Sequence, residues 1–217
     1  MEIEQYLYEL TDSGEAIIAY KMVSESGSVE LCNMGASILS YSIGGVEIAS
    51  GQAVRSLTNP TPTAEKSLAE RIWNSWVEGN RVIMSTVEQI GELSLTIELV
   101  FDYDDDNTLE ITYQAIADGE LLVDLTHLFT LDMGGEVAIE RIDSTDSSEI
   151  RAITSARKNI LGEVATIAGS SIRVELLSSH PALYVKLPQI ATIAHPNTHL
   201  VEGERYIQKT LFRAYLG

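Results

Sequence analysis

Between Leu93 and Met133 apolar and polar side chains alternate with a period of two, a pattern that fits a half-buried β-strand and fits a helix poorly. Leu93, Leu95, Ile97, Leu99, Phe101 and Tyr103 share one parity, against Ser94, Thr96, Glu98, Val100 and Asp102. After Asp104-Asp105-Asp106-Asn107 the alternation resumes with Leu109, Ile111, Tyr113 and Ala115. A third run puts Leu121, Val123, Leu125, His127, Phe129, Leu131 and Met133 against Asp124, Thr126, Leu128, Thr130 and Asp132. Three such runs in succession predict an antiparallel meander with one apolar face.

The rest of the chain is read the same way. A short opening strand, a turn at Ser13-Gly14 and a strand over Ala16 to Val23 come first. Leu39, Tyr41 and Ile43 then alternate with Ser40 and Ser42, and Gly44-Gly45 supplies the positive dihedrals of a tight hairpin. Gly35-Ala36 interrupts the pattern before Ile38, which predicts a bulge or a turn. Around Pro60 and Pro62 the periodicity lapses into a loop. Leu68, Ile72 and Trp76 have the four-residue spacing of one or two helical turns within Ser67 to Trp76, expected to plug or cover an edge. Trp73 and Trp76 then serve as packing residues, or one of them stacks on a sugar.

Strands are expected over Arg81 to Thr86, Glu136 to Arg141, Glu149 to Ser155, Glu163 to Ala168, Ser171 to Leu177, Ala182 to Leu187, Ile190 to His195 and Tyr206 to Leu216. So many short strands with almost no helix predict an all-β fold, a large antiparallel β-sandwich. The acidic run at Asp104 lacks the glycine and the closing glutamate of a calcium loop, and is read as a solvated hairpin turn.

A chain of 217 residues, 45% of them hydrophobic, can bury its core as a single domain over 1–217. Its formal charge of −18, from 32 acidic against 14 basic residues, opposes binding to nucleic acid and to anionic membrane surfaces. A neutral ligand or a cation fits that field. One cysteine, Cys32, excludes an internal disulfide and any multi-thiolate site. The first ten residues carry no secretory pattern and no apolar run reaches a bilayer's width, so a cytoplasmic protein is expected. Nothing in the sequence specifies a protein partner.

Three stretches in order resemble the aldose 1-epimerase (galactose mutarotase) family. VELCNMGASILSYSIGG is similar to its opening strand pair with Asn-x-Gly-Ala. LTIELVFDYDDDNTLEITYQAIADGELLVDLTHLFTLDMGG resembles its long meander, which ends in Leu-Thr-Asn-His-Ser-Tyr-Phe-Asn-Leu-x-Gly, and HLVEGERYIQKTLFRAYL resembles its closing strand. The resemblance implies a galactose mutarotase-like β-supersandwich with a cleft for a small neutral sugar on a concave sheet face. It further implies interconversion of anomers by one acid and one base, with no metal or organic cofactor.

Residue by residue, the resemblance leaves the motif's histidine position to Leu128 and sets His127 one place earlier. Parity places His127 on the apolar side, so a bulge is needed to bring it to the cleft. The late glutamate of the family falls either at Leu187-Pro188-Gln189, which leaves a leucine there, or, in the better-fitting register of Ile190 to Pro196, at His195. His195 can act as a base near neutral pH, and its other reading is a turn residue before Pro196. Ala69-Glu70-Arg71-Ile72 echoes an Asn-Arg-Ile element. The implied site is His127 and His195 as acid and base, with Arg71, Thr126, Asp132 and Trp76 contacting the sugar. On the same fold the alternative is a catalytically inactive carbohydrate-binding or structural protein.

Overall fold

The computed structural model describes residues 1–52, 54–56, 68–123, 125–127, 131, 138–142, 150–154, 161–179, 182–186, 192–194 and 198–217. Its strands, in chain order, begin with β1 (Glu2–Leu10), β2 (Ala16–Val23), β3 (Gly27–Cys32), β4 (Ser37–Ile43), β5 (Val46–Gln52), β6 (Val54–Ser56) and β7 (Asn74–Glu78). The long central strands are β8 (Arg81–Ile90), β9 (Leu93–Tyr103) and β10 (Thr108–Ala117), followed by β11 (Leu121–Val123), β12 (Leu125–His127), β13 (Ala138–Ile142) and β14 (Ile150–Thr154). The chain closes with β15 (Gly162–Ala168), β16 (Ile172–Ser178), β17 (Ala182–Lys186), β18 (Thr192–Ala194), β19 (Thr198–Leu200) and β20 (Arg205–Leu216).

Two antiparallel sheets form the body. One has the order β1-β2-β3-β4-β5, the other β13-β15-β16-β20-β10-β9-β8-β7. Alternation dictates how they meet. Leu95, Ile97, Leu99, Phe101 and Tyr103 of β9 and Leu109, Ile111 and Tyr113 of β10 are all buried against Tyr20, Met22, Val29, Leu31 and Tyr41 of the five-stranded sheet. Tyr41 and Tyr103 meet edge to face, 6.1 Å between centroids and 85° between planes. The opposite face of the larger sheet carries the ion pairs Arg81–Asp102, Lys209–Glu110, Arg213–Glu175 and Arg173–Glu140.

The β4–β5 hairpin forms where Gly44 and Gly45 permit it, with φ of 57° and 79°. The acidic run is a hairpin turn whose Asp104 carboxylate accepts the amides of Asp106 and Thr108 at 3.0 and 2.8 Å. Its last residue turns inward. Asn107 is buried at φ 56°, accepts the Tyr103 hydroxyl at 2.9 Å, and offers its carbonyl to the Tyr41 hydroxyl at 2.6 Å.

Two expectations change. The meander is β8-β9-β10, and the neighbour of β10 on its other side is the final strand β20, with Leu109 opposite Phe212. The run from Leu121 does not continue the meander. β11 pairs with β19 and β12 pairs with β6, so the partner changes between Val123 and Leu125. A period of two reports which side faces the core, and it is silent on which strand lies alongside. The helical expectation over Ser67 to Trp76 is also corrected: a single 3-10 turn at Leu68–Glu70 is followed by a bend at Arg71, the isolated bridge of Ile72 and then β7. The four-residue spacing came from one buried turn residue, one residue in an isolated bridge and one on a strand.

Candidate functional site

Arg71 sits where two distant pieces of chain are locked together. Met34 and Ile72 form an isolated bridge, the Gly35 amide donates to the Arg71 carbonyl at 2.7 Å, and the Trp73 amide donates to the Asn33 carbonyl at 2.8 Å. Asn33 is itself held to β2, its Oδ1 accepting the Ile18 amide at 2.8 Å. Gly35 has φ 65°, and a Cβ there would lie 2.4 Å from the Ala69 carbonyl oxygen. Only glycine permits both the left-handed backbone and that approach. The Asn33-Met34-Gly35-Ala36 motif is thus the cradle that fixes Arg71.

The guanidinium meets a carboxylate that the parity of β8 places on the inner face. Val82, Met84, Thr86 and Glu88 alternate inward, and Glu88 keeps only 4% of its side chain exposed against 28% for Arg71. Arg71 approaches Glu88 at two points, 3.0 Å from one guanidinium nitrogen to Oε1 and 2.8 Å from the other to Oε2. The second contact is an ion pair whose angles do not make a hydrogen bond, so Oε2 and Arg71 Nε are both buried without a hydrogen-bond partner among the described residues. Burial raises the pKa of Glu88, and the Arg71 charge works against that rise. The Arg71–Glu88 pair was legible in part, since a carboxylate sharing parity with Val82 and Met84 stands out in the sequence.

A cavity of about 720 Å³ opens beside this pair, within the size range of small-molecule sites, roughly 300–1,000 Å³. Arg71, Ile72 and Thr86 line its inner part, Met34 and Ile17 add apolar wall, and the β1–β2 turn forms its rim.

Thr126 and His127 stand on β12, opposite Arg55 and Val54 of β6. Backbone of β6 comes within 8 Å of the Leu68–Glu70 turn that leads into Arg71, and β12 comes within 8 Å of β18. The final residue of β18, Ala194, directly precedes His195 in sequence. The topology therefore gathers the strand of Thr126 and His127, the strand before His195 and the turn before Arg71. His195, Asp132 and Leu128 lie outside the described residues. Leu131 is buried and bridges to Ala49 of β5 in the five-stranded sheet.

Trp76 is not part of this gathering. Ser75 faces the five-stranded sheet, receiving the Tyr20 hydroxyl at 2.8 Å, so its neighbour Trp76 on β7 faces the other way, away from Thr86 and Glu88. Trp73 is core, 1% exposed, with its indole nitrogen donating to the Leu68 carbonyl at 3.1 Å.

No family model and no curated protein matches the sequence. Solved structures do. The GalM/aldose epimerase homologue from C. elegans superposes with a TM-score of 0.70 at 11% identity, over 90% of this chain and 98% of that one. Galactose 1-epimerase from Lactobacillus acidophilus gives 0.70 at 12% identity, over 100% of this chain and 99% of that one. The fold is that of the aldose 1-epimerases. Within the aldose 1-epimerase fold, the cradle at Asn33–Ala36 and the paired Arg71 are features this chain's own geometry accounts for. Among the described residues no group of three His, Cys, Asp or Glu side chains is placed to hold a metal ion, and no helix is long and apolar enough to cross a membrane.

Proposed function

We propose that the protein binds a neutral aldose and interconverts its anomers. The observation that supports this most is the convergence of β12 on β6 and β18 beside the turn into Arg71, within a fold shared along nearly its whole length with a galactose 1-epimerase. In this reading His195 takes the proton from the anomeric hydroxyl while His127 protonates the ring oxygen. The bond from the anomeric carbon to the ring oxygen breaks, the carbonyl group turns about its bond to the next carbon, and reclosure returns both protons. Arg71, Thr126 and Asp132 hold sugar hydroxyls. The paired guanidinium of Arg71 offers donors without a free positive charge, which suits an uncharged ligand.

Polarimetry on freshly dissolved α-galactose or α-glucose tests it. Wild-type protein is expected to speed the change in rotation, and His195→Ala or His127→Ala to lower the rate about 100-fold or more. Failure to accelerate any of several aldoses sinks the catalytic reading. Saturable heat in a sugar titration without acceleration assigns the protein to binding alone.

A further inference from the structure

The Arg71 cavity has a rim that its sugar reading leaves unused. Glu9, Asp12, Glu15 and Glu70 all line it, against the single guanidinium of Arg71, and that cation is already matched by Glu88 at 2.8 Å. The rim is also shaped. Thr11 Oγ1 accepts the Glu15 amide at 3.0 Å and lies 2.9 Å from Ser13 Oγ, which donates to Glu15 Oε2 at 2.9 Å. This hydrogen-bonded turn holds one carboxylate of the rim in place.

The second observation lies deeper. Thr86, on the inner face of β8, lines the same cavity and exposes 9% of its surface. Its hydroxyl has no hydrogen-bond partner among the described residues. The hydroxyl is not among the fully buried unpaired atoms, so it is open to the cavity, and a hydroxyl placed there is satisfied by what enters it. Leu10, Ile17, Met34 and Ile72 give the same space an apolar wall, which complements the C–H face of a sugar ring. Acidic rim and apolar wall together fit a cation carried on an organic group.

We propose that this cavity selects an amino sugar in its ammonium form, the ring hydroxyls meeting Thr86 and the ammonium group meeting the carboxylates of the rim. The inference rests on the sugar reading above and departs from it in charge: the ligand remains an aldose ring but carries one ammonium group, which the acidic rim attracts. Phosphorylated sugars are disfavoured by the same field, because the one arginine present is neutralised.

Calorimetry at low ionic strength with galactosamine hydrochloride, N-acetylgalactosamine, galactose, galactose 6-phosphate and ethanolamine tests the proposal. Galactosamine should bind about tenfold or more tightly than its N-acetyl form, with the preference shrinking at high salt and the 6-phosphate weakest. Thr86→Val should weaken galactosamine several-fold. The double variant Asp12→Asn/Glu15→Gln, confined to the surface turn, should bring the two sugars close to equal affinity. Equal affinities in the wild type, no binding of galactosamine, or ethanolamine binding as tightly as galactosamine each overturn it. Polarimetry separates the two readings. Accelerated mutarotation of neutral aldoses without amine preference removes this inference alone, while amine preference with no acceleration of any aldose removes the anomer chemistry and leaves the cavity's selectivity standing.

Discussion

Arg71–Trp73 and Asn74–Glu78 are consecutive, yet they are held by opposite means. The first stretch adds little to the main ladders, forming only the Met34–Ile72 bridge, and is fixed through the Asn33–Ala36 cradle, the Glu88 ion pair and a buried indole. The second is regular antiparallel ladder on the outermost strand of the larger sheet, with Trp76 40% exposed and Val77 39% exposed. Irregular backbone placed beside a cavity needs specific partners for each polar group, whereas an edge strand obtains its pairing from one neighbour and leaves its outer side open. The difference teaches how the cavity is anchored: Arg71, the residue proposed to meet a ligand, lies on the irregular stretch, and the two tryptophans three positions apart do unrelated work.

That contrast breaks hardest at Trp73. Trp73→Ala removes a fully buried indole and its bond to Leu68, and should cost about 3–5 kcal/mol, read as a lowered urea midpoint; a loss below 1 kcal/mol would contradict the packing described. Gly35→Ala attacks the same stretch from the other side. The new Cβ meets the Ala69 carbonyl oxygen at 2.4 Å in a left-handed backbone, for an expected loss of about 2–4 kcal/mol. Because Gly35 touches no ligand in either functional reading, the variant also tests whether the cradle positions Arg71: sugar affinity should fall with the fold still intact at low temperature.

How much of this could be read from the chain follows the same division. The parity of β9 and β10 and the turns at Gly44-Gly45 and Asp104–Asn107 are local properties, and local chemistry sets them. Glu88 carries a local signal too, a carboxylate in step with Val82 and Met84. Gly35-Ala36 announces an irregularity, but its reason is Ala69, more than thirty residues away, and no local pattern encodes that partner. The same holds for the switch from β11 with β19 to β12 with β6. The alternation from Leu121 to Met133 reads as one strand, and two short ladders with different partners satisfy it equally well. This also bears on His127, which lies on β12 beside β6 and not on the ladder that Leu121 forms with β19.

Glu88 joins the anchored stretch to the central sheet, and its removal should have an intermediate effect. Glu88→Ala leaves the partly exposed Arg71 guanidinium without its counter-charge, for about 1–3 kcal/mol. The conservative change isolates the charge. Burial raises the Glu88 pKa in the folded protein more than the Arg71 charge lowers it, so the native state holds this proton more tightly than the unfolded chain does. The stabilisation is full below the ordinary glutamate range and is lost as pH rises through the higher folded value. Urea midpoints measured across that window should decline less steeply in Glu88→Gln than in the wild type, and an unchanged slope would remove the titration from Glu88.

Trp76 supplies the smallest and most selective effect. Trp76→Ser strips apolar surface from an edge strand and should change stability by about 1 kcal/mol or less. The protein has two tryptophans, so this variant leaves Trp73 as the sole emitter. Its fluorescence should be blue-shifted and poorly quenched by acrylamide, as a buried indole requires. Since Trp76 faces away from Thr86 and Glu88, affinity for a sugar should be unaltered. A marked loss of sugar binding in Trp76→Ser would move the ligand to the outer face of the larger sheet and detach it from Arg71.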